Sequence, residues 1–203
     1  ETLGKRVHIC HVSTKGGVQL LREAKARGVS VTAETCPHYF TLTDDVVVTF
    51  DANTKVNPPV REAEDVAAIK AGLADGTLDC IVTDHAPHHR DEKEVEYNLA
   101  AFGISGIETS FSLSYTYLVK SDVLTLNELV RRMSTNPAKI LGLEGGDLAE
   151  GGAADVMIAD LNATYTIDPK DFVSKGKNTP FGGYEVSGAV KYTIADGNIT
   201  YKG

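Results

Sequence analysis

The sequence predicts a parallel α/β fold with a small β module at its carboxyl end, and three observations carry that reading. Short apolar strands alternate with amphipathic helical segments, the pattern of strand-helix units whose strands share one buried parallel sheet. The apolar run 78–83 stops abruptly at Asp84-His85-Ala86-Pro87-His88, which points reactive groups at the carboxyl end of such a sheet, where pockets form. Beyond Gly145-Gly146 helical spacing gives way to alternating apolar positions.

The elements follow in order. Val7-His8-Ile9-Cys10-His11 is a short strand, and a period of two puts Val7, Ile9 and His11 on one face and His8 with Cys10, read as packing residues, on the other. Ser13 is the expected N-cap of a helix carrying Val18, Leu20, Leu21 and Ala24 and ending at Gly28. Residues 29–35 form a second strand, followed by Cys36-Pro37-His38-Tyr39. Lys55-Val56-Asn57-Pro58-Pro59 leads into a helix over 62–75 that Gly76 stops, and 78–83 is the third strand. After the charged loop 90–96, helices are expected over 105–120, from about 125, and again from Asn136-Pro137. In the tail, 155–160 and 165–167 alternate, and 190–194 with 199–201 around Asp196-Gly197-Asn198 reads as a hairpin. No internal repeat or low-complexity segment interrupts the pattern.

A chain of 203 residues, 42% hydrophobic and 24% charged, can bury a real core. Its net charge of -8, with no cluster of Lys and Arg, argues against a nucleic-acid surface and for small-molecule chemistry. Cys10, Cys36 and Cys80 are odd in number and widely spaced, which is no disulfide framework and suggests a reducing cytoplasm. Neither a membrane span nor a signal peptide is expected, since no run of about 18 apolar residues and no basic-then-apolar leader occurs. The chain starts Glu1-Thr2-Leu3 rather than with Met, which suggests a piece of something longer.

Several side chains are candidates for chemistry. His11 at a strand end is a potential zinc ligand or a hydrogen-bonded structural histidine. Asp84 is the sharper case, because an acid ending an apolar strand is costly unless it meets a metal, a cation or several donors; its bland alternative is a cap on the next turn. One of His85 and His88 is expected to face the pocket, while His89 and Arg90 read as a solvated edge. Asn57, held extended by Pro58, is a binding amide or a turn residue, and His38 after Pro37 is similar. Gly103 and Gly106 around Ile104-Ser105 mark a close backbone approach or ordinary punctuation before a helix. Gly16-Gly17 has neither phosphate-loop spacing.

Together, His11-Val12-Ser13-Thr14, Glu34-Thr35-Cys36-Pro37-His38, Asn57-Pro58-Pro59-Val60-Arg61, Thr83-Asp84-His85-Ala86-Pro87-His88, Phe102-Gly103-Ile104 and Ser174-Lys175-Gly176-Lys177-Asn178-Thr179-Pro180-Phe181 resemble the class I dihydroorotases of the amidohydrolase superfamily. The resemblance covers nearly the whole chain in order and spacing. Asn57 and the Ala86-Pro87-His88 continuation separate it from the related dihydropyrimidinases and allantoinases. It implies a (β/α)8 barrel of the TIM type, of which this chain holds strands six to eight in residues 1–144. A composite β-sandwich built from both chain ends would take residues 145–203.

By that resemblance His11 is a zinc ligand, Asp84 is both a metal ligand and the catalytic base, and Asn57, His88, Phe102 and Gly103 contact the substrate. His38 belongs to a family motif without being a ligand. The implied reaction interconverts N-carbamoyl-L-aspartate and L-dihydroorotate, with one or two zinc ions in the complete protein.

The family's other metal-site residues, a His-x-His pair, the bridging Lys or Asp of strand four and the His of strand five, lie upstream of Glu1. The 203 residues are therefore expected to be a carboxyl-terminal half, binding zinc weakly or not at all and inactive without the N-terminal half of the barrel. Two alternatives remain beside the dihydroorotase: a dihydropyrimidinase or hydantoinase-type enzyme, and a non-catalytic scaffold for a transcarbamoylase partner. A homodimer is also compatible with the resemblance.

Overall fold

The computed structural model describes residues 1–203 and contains two separate three-stranded sheets. In the first, β1 (Val7–Ile9), β2 (Val31–Thr35) and β3 (Cys80–Ile81) lie parallel in the order β1-β2-β3. Val7 pairs with Val31 and Ile9 with Ala33, and Glu34 pairs with Cys80. Parallel neighbours require a crossover, which α1 (Lys15–Ala26) supplies between β1 and β2 and α3 (Ala63–Ala74) between β2 and β3. The expected N-cap of α1 moves by one residue, to Thr14, whose Oγ1 accepts from the Gly17 N–H at 3.0 Å.

The third strand is shorter than the expected 78–83. Lys25 Nζ and the Ala33 N–H both donate to Asp79 Oδ2 at 2.8 Å, so a side chain takes a backbone donor beside the strand. Only single backbone bonds, Asp79 N–H to Ala33 O and Val82 N–H to Thr35 O, flank Cys80–Ile81. Helix α2 (Pro37–Thr41) opens on Pro37, and α4 (Arg90–Lys93) is capped by His89.

Helix α5 begins at Ser110 rather than 105, and its Ser110–Ser114 turn runs on as a wider π segment through Val119. Residues 104–106 are engaged elsewhere: Ile104 bridges to His85 in parallel sense, the Ser105 N–H donates to Asn178 O at 2.7 Å, and the Gly106 N–H to His85 Nδ1 at 3.1 Å. Helices α6 (Leu126–Val130) and α7 (Asn136–Leu141) are joined by a second π segment, Arg131–Thr135.

The second sheet is antiparallel: β4 (Val156–Thr166), β5 (Glu185–Ala195) and β6 (Asn198–Lys202). The expected hairpin is present at Asp196-Gly197, both at positive φ (48° and 74°) as a two-residue primed turn requires.

Two apolar cores form. One packs Ala33 and Ile81 against Val18, Leu21, Ile69 and Leu73 of α1 and α3, with Leu118 and Leu129 closing it. In the other, Leu42, Val56, Val60 and Ile104 meet Ile167, Phe172, Phe181 and Val186, so the connector from β4 to β5 packs beneath the loops at the carboxyl end of the parallel sheet. No helix is long and apolar enough to cross a membrane.

Candidate functional site

The parallel register brings the carboxyl ends of β1, β2 and β3 together, and His11, Cys36, His38 and Asp84 all stand there. Between the Ile9–Ala33 pair and the next bond, Val12 N–H to Glu34 O at 2.8 Å, the β1 side advances three residues while β2 advances one. Cys10 and His11 are thus thrown out of the ladder. His11 turns at φ 39°, so the expected sharing of a face with Val7 and Ile9 does not apply to it. Asp84 also lies at positive φ, 48°, directly after β3 leaves β2. Left-handed backbone costs on the order of 1–3 kcal/mol at a residue other than glycine, and it persists where the surroundings enforce it, commonly at functional sites.

Cys36, His38 and Asp84 offer donor atoms that all lie within 4.8 Å of one another. His38 is 1% exposed, and neither ring nitrogen has a hydrogen-bond partner. Burial, with the nearby His11 as the smaller cause, lowers its pKa to about 3, so the ring is neutral and a lone pair stays available. An orphaned buried imidazole beside a carboxylate is what a metal ion would satisfy, and the donor set therefore fits one. Cys36 is less suited: burial, then the Asp84 charge, raise its thiol pKa well above the ordinary value. All three cysteines are free.

The other expected residues surround this cluster unequally. Asn57 is exposed at a corner where the Asn57–Pro58 peptide is cis, a feature that the expectation of an extended Asn57 did not include. Tyr39 Oη donates to Pro58 O at 2.7 Å and ties the corner to α2. His85 Nδ1 accepts from the N–H groups of Gly106 and Ile107 at 3.1 and 3.3 Å. His88 Nε2 lies 2.8 Å from Phe102 O, so the two expected substrate contacts are tied to each other. At Gly103, φ is 127° and an added Cβ would sit 2.4 Å from Ala86 Cβ, which makes glycine necessary there. His89 is exposed, as expected for a solvated edge. His8 is a link between strands, with Nδ1 2.8 Å from Thr32 Oγ1 and Nε2 2.9 Å from Glu34 Oε2.

From sequence, Cys36 has no role beyond its place beside a strand, and His38 stays open between a binding and a turn residue and is not a ligand by the resemblance. The available signal was Cys36-Pro37-His38 itself: a proline that opens a helix right after a strand keeps its neighbours at the strand's carboxyl end. Lys55 and Asn178 lie in segments that the sequence singles out, and Lys93 in the charged loop 90–96, but nothing along the chain assigns them the part they have here, holding the loop around Phe102.

Comparison with known proteins agrees with this architecture. The chain is 56% identical over 196 residues to a dihydroorotase of Geotalea daltonii, covering 97% of this chain and 46% of that protein. It is 53% identical over 202 residues to one of a Thermoanaerobacter species, covering 100% and 47%. Among solved structures, the L-hydantoinase (dihydropyrimidinase) of Arthrobacter aurescens superposes with a TM-score of 0.92 at 34% identity, over 98% of this chain and 45% of that one. A dihydropyrimidinase of Brevibacillus agri gives a TM-score of 0.94 at 25% identity, over 99% and 46%. The chain thus spans about half the length of the relatives it matches. With the sequence profile of the Amidohydrolase family matching residues 3–200, and with the metal-capable cluster at the carboxyl ends of its parallel strands, the chain belongs to the amidohydrolase family.

Proposed function

We propose that this chain supplies the carboxyl half of the catalytic barrel of a dihydroorotase, residues 1–144 forming barrel and residues 145–203 the carboxyl part of a β-sandwich. The observation that carries the proposal is the convergence of Asp84 with Cys36 and His38, beside His11, at the ends of three successive parallel strands. Relatives at 52–56% identity, all named dihydroorotase, supply the substrate. The unpaired outer edges of β1 and β3, in a chain that covers 46% of its relative's length, support completion of the barrel by strands outside this segment. Three free thiols suit a reducing cytoplasm.

The reaction is the interconversion of N-carbamoyl-L-aspartate and L-dihydroorotate, and the metal is zinc. By the family resemblance His11 and Asp84 would hold it, and the donor atoms that the structure brings within 4.8 Å of one another, on Cys36, His38 and Asp84, add neutral His38 as a further donor and leave His11 outside that set. When bound, zinc supplies Lewis acidity that activates water near neutral pH and polarises the amide carbonyl. The Asp84 carboxylate takes the proton of the attacking water as the new C–O bond forms. It then delivers that proton to the ring nitrogen as the C–N bond breaks. In ring closure the same carboxylate takes the proton from nitrogen as the C–N bond forms and returns it to the departing oxygen, which leaves as water as the C–O bond breaks. Asn57 and His88 orient the substrate, and the backbone of Phe102 and Gly103 lies along its ring.

The complete protein loaded with zinc is expected to hydrolyse dihydroorotate, and Asp84→Asn to lower kcat by about 10²–10⁴-fold. The 203-residue chain alone is expected to be inactive and to lose zinc on dialysis, since Cys36 must give up a strongly held proton to assist. Activity should return on co-expression with the upstream half. Turnover by the isolated chain, or full activity of Asp84→Asn, would overturn the proposal. The likeness to hydantoinases favours a second reading, a cyclic amidohydrolase of dihydrouracil or hydantoin, and turnover of those compounds in place of dihydroorotate would establish it.

A further inference from the structure

Four consecutive backbone carbonyls, Ala100 to Gly103, are each held by side chains. Lys55 Nζ donates to Ala100 O at 2.7 Å and to Asn98 O at 3.0 Å. Lys93 Nζ donates to Ala101 O at 2.8 Å and to Gly103 O at 3.1 Å. His88 Nε2 meets Phe102 O at 2.8 Å, and Asn178 Nδ2 donates to Gly103 O at 3.0 Å. The Gly103 N–H closes the arrangement by donating to Lys55 O at 2.9 Å.

Both lysines are buried, at 7% and 6% exposure, and no carboxylate lies within 4.0 Å of either ammonium. A buried cation without a counter-ion is costly unless its donors are used, and here two N–H groups of each ammonium are used on carbonyls. Lys55 Nζ also lies 4.4 Å from the centroid of the Phe102 ring, within cation–π range. Residues 97–103 form neither helix nor strand, so their carbonyls have no ladder to join and need such donors. The costs of the two buried charges and of the irregular loop offset each other only if the loop keeps this one shape.

We propose that Lys55 and Lys93 are positioning residues: a pair of buried ammonium clamps that fixes the backbone of residues 98–103 so that Phe102 and Gly103 meet the substrate ring in one geometry. Neither lysine touches the reacting atoms. The inference rests on the reading of Phe102 and Gly103 as substrate contacts, and it adds the groups that set their position.

The test uses the complete zinc-loaded protein with Lys55→Met and Lys93→Met. KM for dihydroorotate is expected to rise about tenfold while kcat stays within about threefold, the pattern of lost binding rather than lost chemistry. Amide hydrogen exchange of residues 98–104 is expected to accelerate while α1 and α3 keep their protection. Unchanged exchange in that segment, or a fall in kcat with KM unaltered, would overturn the proposal. Should the methionine variants not fold, Lys55→Gln and Lys93→Gln carry the same expectation, because the shorter amide cannot reach two carbonyls at once. If the unaltered protein fails to turn over dihydroorotate, the functional reading falls, and hydrogen exchange alone then decides the clamp.

Discussion

At the scale of single residues, the chemistry-bearing positions are marked by backbone cost and by polar groups without partners. His11 and Asp84 both take a left-handed conformation, and His38 keeps a bare imidazole in the interior. Each is a local expense that the surrounding fold sustains. Lys93 is another such residue, with a consequence for pH. Burial, aided by the Lys55 charge and opposed by Asp51, lowers its pKa from 10.5 to about 8. Between those two values the unfolded chain binds more protons than the folded one, so folding stability gains from this residue as pH rises from about 8 toward 10.5. Denaturant titrations across that range should show the native protein gaining stability relative to Lys93→Met. A difference independent of pH would contradict the assignment.

Asp84 was legible as a candidate site residue because an acid ending an apolar strand is conspicuous in any sequence. Cys36 and His38 were not, because neither thiol nor imidazole is costly enough in itself to stand out.

At the scale of elements, periodicity places the helix starts where the signal is local, within one residue for α1, whose cap is Thr14 rather than Ser13, and at Thr125 for α6. Thr125 opens α6 with a capping box: its Oγ1 accepts from the Glu128 N–H at 3.3 Å, and its own N–H donates to Glu128 Oε2 at 2.7 Å. Thr125→Ala should cost about 1 kcal/mol of stability, measurable by denaturant unfolding, with Leu129 still anchoring the helix in the core. A loss near zero would mean that the packing of Leu129 holds the helix start without the cap. Element ends were misjudged where long-range bonds decide them. Asp79 curtails β3 by taking the Ala33 N–H, and residues 104–106 are diverted from α5 by His85 and Asn178. Such competitors lie tens of residues away in the chain, so no window along the sequence contains them.

At the scale of the whole molecule, the chain has a well-packed interior and unfinished boundaries. β1 and β3 each pair on one side only, and Val7 and Ile9 of β1 are exposed. A wide cleft lined by Ile107, Phe111, Val130, Met133, Met157 and Val190 separates the helices from the antiparallel sheet. Open strand edges and apolar clefts favour association. The 203-residue chain on its own should therefore form oligomers or aggregates that grow with concentration in light scattering, and co-expression with the upstream half should suppress them. A chain that stays monomeric at all concentrations would show that these edges are protected in some other way.

The sequence by itself determined the order of strands and helices, the hairpin at Asp196-Gly197 and the position of Asp84 at a strand's carboxyl end, because each follows from periodicity, turn chemistry or charge within a short stretch. Only the tertiary structure decided that Cys36 and His38 stand beside Asp84, that His11 is thrown out of its strand, and that two buried lysines hold the loop of Phe102 and Gly103. Those outcomes depend on the register of parallel strands and on which distant carbonyl a buried donor reaches. Chain segments far apart in sequence fix both jointly, through the requirement that buried polar groups find partners.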